Sequence, residues 1–169
     1  MRLFYGLPFP HRVRRDLLLA QRPLLQNSIR GNFTSVTNFH LTLAFLGEVE
    51  EARLPLLFSI LDAVKRPPFD LLFTHLDHFD GGIWYLSPAP YPPLFTLEKA
   101  LPPPLPPDGF SLPERPYTPH LTLGRKIVLR NGFTPSPCLY HPIPAHTEGP
   151  RLFWSHRVDG VLTYTPLAP

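Results

Sequence analysis

A tetrapeptide occurs twice in this chain: His40-Leu41-Thr42-Leu43 recurs as His120-Leu121-Thr122-Leu123. Each copy lies in a β-prone run, preceded by a turn-forming residue (Asn38, Pro119) and followed by a glycine (Gly47, Gly124). Successive side chains on a strand point to opposite faces, so the histidine and threonine of each copy share one face. The leucines take the other face and anchor it in a core. A lone His-X-Thr in a strand is usually a structural position with a satisfied imidazole. Two unrelated structural histidines, however, have no reason to carry identical neighbours. The repetition predicts a duplicated architecture in which two strands bring two histidines and two threonines to one cleft.

Such a set suits phosphodiester hydrolysis. One group must take a proton from the attacking water and another must give a proton to the departing sugar oxygen. Histidine titrates close enough to neutrality for either task. A neutral and a protonated imidazole together supply both. Threonine hydroxyls fixed beside them can donate hydrogen bonds to non-bridging phosphate oxygens as charge builds up. Nothing in this set requires a metal or another cofactor.

The rest of the chain reads as one α+β domain over residues 1–169. Strand character is expected at 2–7, 38–46, 69–76, 83–86, 118–129, 151–158 and 160–165. Helical spacing is expected at 10–21, stopping near Pro23, and at 48–65 and 92–101. Asp80-Gly81-Gly82 predicts a hairpin turn, and Pro102-Pro103-Pro104 a surface loop. Strands and helices are mixed rather than regularly alternating, which favours largely antiparallel sheets.

No apolar run is long enough to span a membrane, and the first residues lack a signal-peptide pattern. A single cysteine, Cys138, excludes an internal disulfide framework and predicts a reducing, cytoplasmic setting. The net charge of +3 tolerates an anionic partner such as RNA without demanding one. Nearly all of the positive charge is arginine, whose fork suits phosphate oxygens, although a genome rich in G and C would give the same bias.

At the two motifs the sequence resembles the two-histidine phosphoesterases, in particular the RNA 2′,3′-cyclic phosphodiesterases first described as 2′-5′ RNA ligases. The resemblance rests on Asn38-Phe39-His40-Leu41-Thr42-Leu43-Ala44-Phe45-Leu46-Gly47-Glu48-Val49 and on Arg115-Pro116-Tyr117-Thr118-Pro119-His120-Leu121-Thr122-Leu123-Gly124-Arg125. The opening Met1-Arg2-Leu3-Phe4 and the closing Leu152-Phe153-Trp154-Ser155 and Tyr164-Thr165-Pro166-Leu167 extend it over nearly the whole chain. It implies a bilobal α+β fold with pseudo-twofold symmetry and a central cleft. It also implies a monomer that opens RNA 2′,3′-cyclic phosphate ends to a 2′-phosphate without a metal.

By the same resemblance His120 is the base, His40 the acid, and Thr42, Thr122 and Arg125 hold the phosphate. Ligation through a 5′-hydroxyl would be a secondary activity. Residues 30–37 follow the family's Arg-aromatic approach to the first motif only loosely. Two other readings stay open. One is an RNA-binding module without turnover, which would bind tightly and release no product. The other is an enzyme of this class acting on a different cyclic phosphate or on 2′-5′ oligonucleotides.

Other side chains read as structural. His75 and His78 stand three apart, on opposite sides of a strand, and no zinc-like spacing accompanies them. His141, His146 and His156 are expected at the surface. Trp84, Tyr85 and Trp154 could stack a base but are expected in the core, and so is Phe45, which falls on the leucine face by alternation. Arg115 could brace a loop or reach RNA. Ser155 matches the family's closing-strand serine, and Cys138 has no partner motif that would make it a nucleophile.

Overall fold

The computed structural model describes residues 1–64, 67–101 and 116–169. The expectations for Pro102-Pro103-Pro104 and Arg115 lie outside the described residues.

Among the described residues, nine strands form two antiparallel sheets. The first contains β1 (Arg2–Pro8), β3 (His40–Glu48), β8 (Arg151–Val158) and β9 (Val161–Pro166), in the order β3-β1-β8-β9. The second contains β2 (Ser28–Phe33), β4 (Phe69–Phe79), β5 (Ile83–Pro88), β6 (Leu121–Leu129) and β7 (Cys138–Thr147), in the order β2-β6-β5-β4-β7. Three helices, α1 (His11–Gln26), α2 (Leu54–Ala63) and α3 (Pro92–Lys99), pack around them. This is the α+β arrangement expected from the mixed pattern. No helix among the described residues is long and apolar enough to cross a membrane.

The alternation read at the two motifs holds where it matters. Leu41 and Leu43 on β3, and Leu121 and Leu123 on β6, are buried in one cluster with Leu3, Leu7, Phe73, Leu86 and Leu152. Removing each such side chain from water contributes roughly 1.5–3 kcal/mol, which fixes the opposite face of both strands toward the cleft. The hairpin across Asp80-Gly81-Gly82 also forms, with Phe79 opposite Ile83.

Elsewhere the structure departs from the expectations. α1 does not stop near Pro23 but runs on to Gln26. Pro23 sits on the exposed side, so its missing N–H costs one bond only. Leu17, Gln21 and Leu24 continue the buried face, and the Pro23 carbonyl accepts from both the backbone N–H and Nδ2 of Asn27.

β2 and β7 have no counterpart in the sequence reading. Both are edge strands. β7 carries Pro142 and Pro144, which an edge strand tolerates because one row of its backbone donors needs no partner. α2 is shorter than the amphipathic run from Glu48. A 3₁₀ turn (Glu51–Arg53) precedes it, and of its apolar stripe only Leu57 is fully buried.

Candidate active site

The two motif strands meet across a cavity of about 590 Å³ lined by His40, Thr42, Thr122 and Arg125. β3 supplies the first two from the edge of one sheet. β6 supplies the others from the second sheet, next to its edge strand β2. Tyr117, on the approach to the second motif, donates its hydroxyl hydrogen to the Thr42 carbonyl at 2.9 Å and ties the two halves together. His120 stands just before β6. It is not part of the cavity wall, yet it lies near enough for its charge to act on His40.

The two imidazoles are held alike. His40 Nδ1 lies 2.6 Å from the carbonyl of Asn38, and His120 Nδ1 lies 2.7 Å from the carbonyl of Thr118, in each case two residues back. A carbonyl only accepts, so Nδ1 carries the proton in both rings. A neutral ring then keeps Nε2 as its basic nitrogen. Thr42 Oγ1 lies 3.0 Å from His40 Nε2 and donates to it when the ring is neutral.

Burial holds His40 down to about 4, opposed by its bond to Asn38 and assisted by the charges of His120 and Arg125. His120 is also held below its usual value, by burial first and then by Arg125. Two protonated rings are therefore disfavoured in the cleft.

Aromatic rings fix each imidazole from the side. His40 packs against Phe4 and edge-on against Tyr164, with centroids at 4.7 and 4.9 Å. His120 lies edge-on to Phe79 and Tyr85 at 5.2 and 5.5 Å. β1 passes beneath His40 as Gly6, where an added Cβ would stand 3.1 Å from the Leu41 carbonyl oxygen and 3.4 Å from His40 Cδ2.

Asn38 stitches the site together. Its buried side chain donates from Nδ2 to the Leu162 carbonyl at 2.8 Å and accepts at Oδ1 from the Tyr164 N–H at 3.1 Å. The turn ahead of β3 is thereby joined to β9, at the far edge of the same sheet. Asn38→Ala leaves both backbone groups unpaired and loosens the carbonyl that orients His40. A loss of about 1–3 kcal/mol in stability is expected, together with reduced turnover. Denaturant midpoints and kcat measured on the purified variant check both; unchanged values of the two would contradict this role.

Several cavity residues escaped the sequence reading. Phe45 is not in the core but 49% exposed, where it lines the cavity with Arg2 stacked over its ring at 5.0 Å. The cause is register. Leu3 faces Gly47 while Phe4 faces Phe45, and Tyr5 faces Ala44 while Gly6 faces Thr42. Each step puts an extra residue on β3, and such bulges break simple alternation. His156, expected as a surface group, lines the cavity instead, stacked on Trp154 at 3.8 Å with Nε2 2.7 Å from Thr165 Oγ1. Ser155, Thr34 and Tyr164 line it as well.

Of the stacking candidates, Tyr85 is buried as expected, while Trp84 and Trp154 are only half-buried. His75 and His78 remain exposed on β4, His78 stacked on Trp84. His141 is exposed, and His146 pairs with Asp70 at 2.9 Å. Among the described residues no group of three or more His, Cys, Asp or Glu side chains is placed to hold a metal ion.

Comparison with known proteins agrees with this geometry. The 2′-5′ RNA ligase superfamily matches residues 22–131, a span that contains both motifs. An Escherichia coli RNA 2′,3′-cyclic phosphodiesterase is 30% identical over 98% of this chain and 93% of its own length. A Bacillus subtilis RNA 2′,3′-cyclic phosphodiesterase is 28% identical over 77% of this chain and 74% of its own. The crystal structure of Escherichia coli LigT in its apo form superposes with a TM-score of 0.79 at 25% identity, covering 99% of this chain and 94% of that one. Motifs, relatives and fold coincide over most of the sequence, and the chain belongs to the 2′-5′ RNA ligase superfamily.

Proposed function

We propose that this protein is an RNA 2′,3′-cyclic phosphodiesterase that opens cyclic phosphate ends to 2′-phosphates with His40 and His120 as its acid–base pair. One observation carries the reading: His40 and Thr42 from one sheet and Thr122 and Arg125 from the other line one cleft, and His120, near enough for its charge to act on His40, is held as His40 is, through Nδ1 by the carbonyl two residues before it. In the reaction, one Nε2 takes a proton from water as the water oxygen bonds to phosphorus. The bond from phosphorus to the 3′ oxygen breaks, and the other ring delivers its proton to that oxygen.

Thr42, Thr122 and Arg125 are suited to hold the non-bridging oxygens. The resemblance assigns the base to His120 and the acid to His40. Burial of His40 works against that order, so the phosphate anion must draw the proton to His40 on binding. A 5′-hydroxyl in place of water would give a 2′-5′ linkage, as a minor activity where water is abundant. The exposed Cys138 fits a reducing cytoplasm, and we read the chain as one two-lobed domain acting as a monomer.

The test is product analysis on a short oligonucleotide with a 2′,3′-cyclic end. A 2′-phosphate is expected, in undiminished yield with EDTA present. The pH profile of kcat/KM should be a bell, because the free pair must hold one proton. Both rings sit below their usual value of 6.5. Activity should therefore decline as pH rises past the higher of the two, itself below 6.5, and decline again toward about 4. An optimum of kcat/KM above neutrality, or a 3′-phosphate product, would contradict the proposal.

A further inference from the structure

The strand that carries the second motif does not stay regular after it. Asn32 pairs with Arg125 and Arg30 with Val128, so β6 holds one residue more than β2 over the same stretch. The bulge puts two successive cations, Arg125 and Lys126, at the surface, with Lys126 in the left-handed region at φ 54°. Arg125 lines the reaction cavity, whereas Lys126 lines a second cavity of about 540 Å³, together with Arg30, Asn32, Gly82 and Ile127.

The wall of that second cavity includes the backbone of Gly31, Gly81 and Gly82 beside Ile127. A Cβ added to Gly82 would come within 2.6 Å of the Ile127 carbonyl oxygen, and one added to Gly31 within 2.8 Å of Ile127 Cγ1. Gly82 also adopts φ +71°, which side chains rarely do. The glycines therefore let the chain pack tightly against Ile127, and two cations, Arg30 and Lys126, give this cavity its charge. Neither Arg30 nor Lys126 has an acidic partner among the described residues. Asp80, in the adjoining turn, is not part of the wall.

We infer that this second cavity holds a backbone phosphate of single-stranded RNA on the 5′ side of the reacting end, an inference that rests on the RNA substrate proposed above. A 2′,3′-cyclic phosphate ends its strand, so every other phosphate lies on the 5′ side. β2 leads from one cavity to the other: Thr34, just past its end, lines the reaction cavity, and Arg30, four residues back and roughly 13 Å away along an extended strand, lines the second. Arg125 and Lys126 make the same link on β6.

The test compares Arg30→Ala, Lys126→Gly and the double variant with the unmodified protein. Glycine suits the backbone angle at 126, and Arg30 is an exposed edge residue, so the fold should persist. Arg15→Ala, an exposed cation on α1, controls for net charge. Binding of a fluorescent tetranucleotide with a 3′-phosphate is followed against salt, a measurement that needs no turnover. The double variant should bind about tenfold more weakly at low salt. Its dependence of log K on log salt should be shallower by about 0.7, the share of one phosphate on a single strand. KM for a cyclic-ended tetranucleotide should rise about tenfold, while turnover of a cyclic-ended mononucleotide stays unchanged, and Arg15→Ala should alter none of these.

Unchanged tetranucleotide affinity and salt slope in the double variant would overturn the inference. So would equal losses on mononucleotide and tetranucleotide, which would mean that the reaction cavity itself had been disturbed. If the unmodified protein bound the strand but never hydrolysed it, the proposed reaction would fail while the salt dependence still decided this site.

Discussion

Replacing His40 or His120 by glutamine is expected to lower kcat on a cyclic-ended oligonucleotide by about 10²–10⁴-fold, with the double substitution costing little more than either single one. In the proposed mechanism the two rings act on one displacement, so losing either the proton acceptor or the proton donor already forfeits concerted transfer, and the effects are not additive. Single-turnover rates on each variant decide it. Near-normal turnover in either single variant would remove that residue from the proposed pair.

His40→Gln carries a second signature. The folded protein keeps His40 near 4 where an unfolded chain has 6.5. Between those values the unfolded state binds the extra proton. The native state therefore loses stability as pH falls from 6.5 toward about 4, with the full contribution present above 6.5. A gap of this size corresponds to about 3 kcal/mol. The glutamine variant should lose that much less across the same window, in denaturant titrations at several pH values. An enzyme that forfeits turnover while gaining resistance to acid would show that the buried imidazole is kept for chemistry rather than for the fold.

Arg125→Ala should depress kcat by about 10²–10³-fold, the usual cost of removing one preorganised donor from a developing negative charge. It should also move the kcat/KM bell to higher pH. The direction follows from the guanidinium charge, which lowers both His40 and His120. Without it both rings bind protons more readily, and the singly protonated window shifts upward. A loss of binding alone would leave the bell in place. Profiles of the variant and the parent separate the two, and a bell that stayed or moved to lower pH would contradict the electrostatic link.

The reaction cavity was legible in part. His40, Thr42 and Thr122 could be placed because the repetition marks equivalent positions and period two sets their faces, whereas Arg125 follows from the family resemblance alone. Four buried leucines confirm that phase on both strands. Alternation failed just beyond the first motif, at Phe45, because a bulge is set by pairing with β1 and leaves no local mark in β3. His156 escaped for a related reason. Its immediate neighbours in sequence are polar, and the β8–β9 hairpin is what brings Thr165 against it, while Trp154 reaches it by alternation along β8.

Pro23 misled the reading of α1, since a proline three residues before a helix ends can be tolerated when its side of the helix faces solvent. β2 and β7 are edge strands whose pairing partners lie far away in the chain, and prolines mask the second of them. Long-range register, not local propensity, accounts for most of what was missed.

The two sheets are threaded by turns rather than built one after the other. β1 and β3 belong to the first sheet, with β2 of the second between them. β4 to β7 complete the second sheet before β8 and β9 return to the first. Neither wall of the groove can therefore assemble from a contiguous stretch of polypeptide. An isolated half, however well it collapsed, would own fragments of both walls and only one of the two motif histidines. Competence for the reaction arrives all at once with the finished tertiary structure, so anything that loosens either sheet should surface first as lost chemistry.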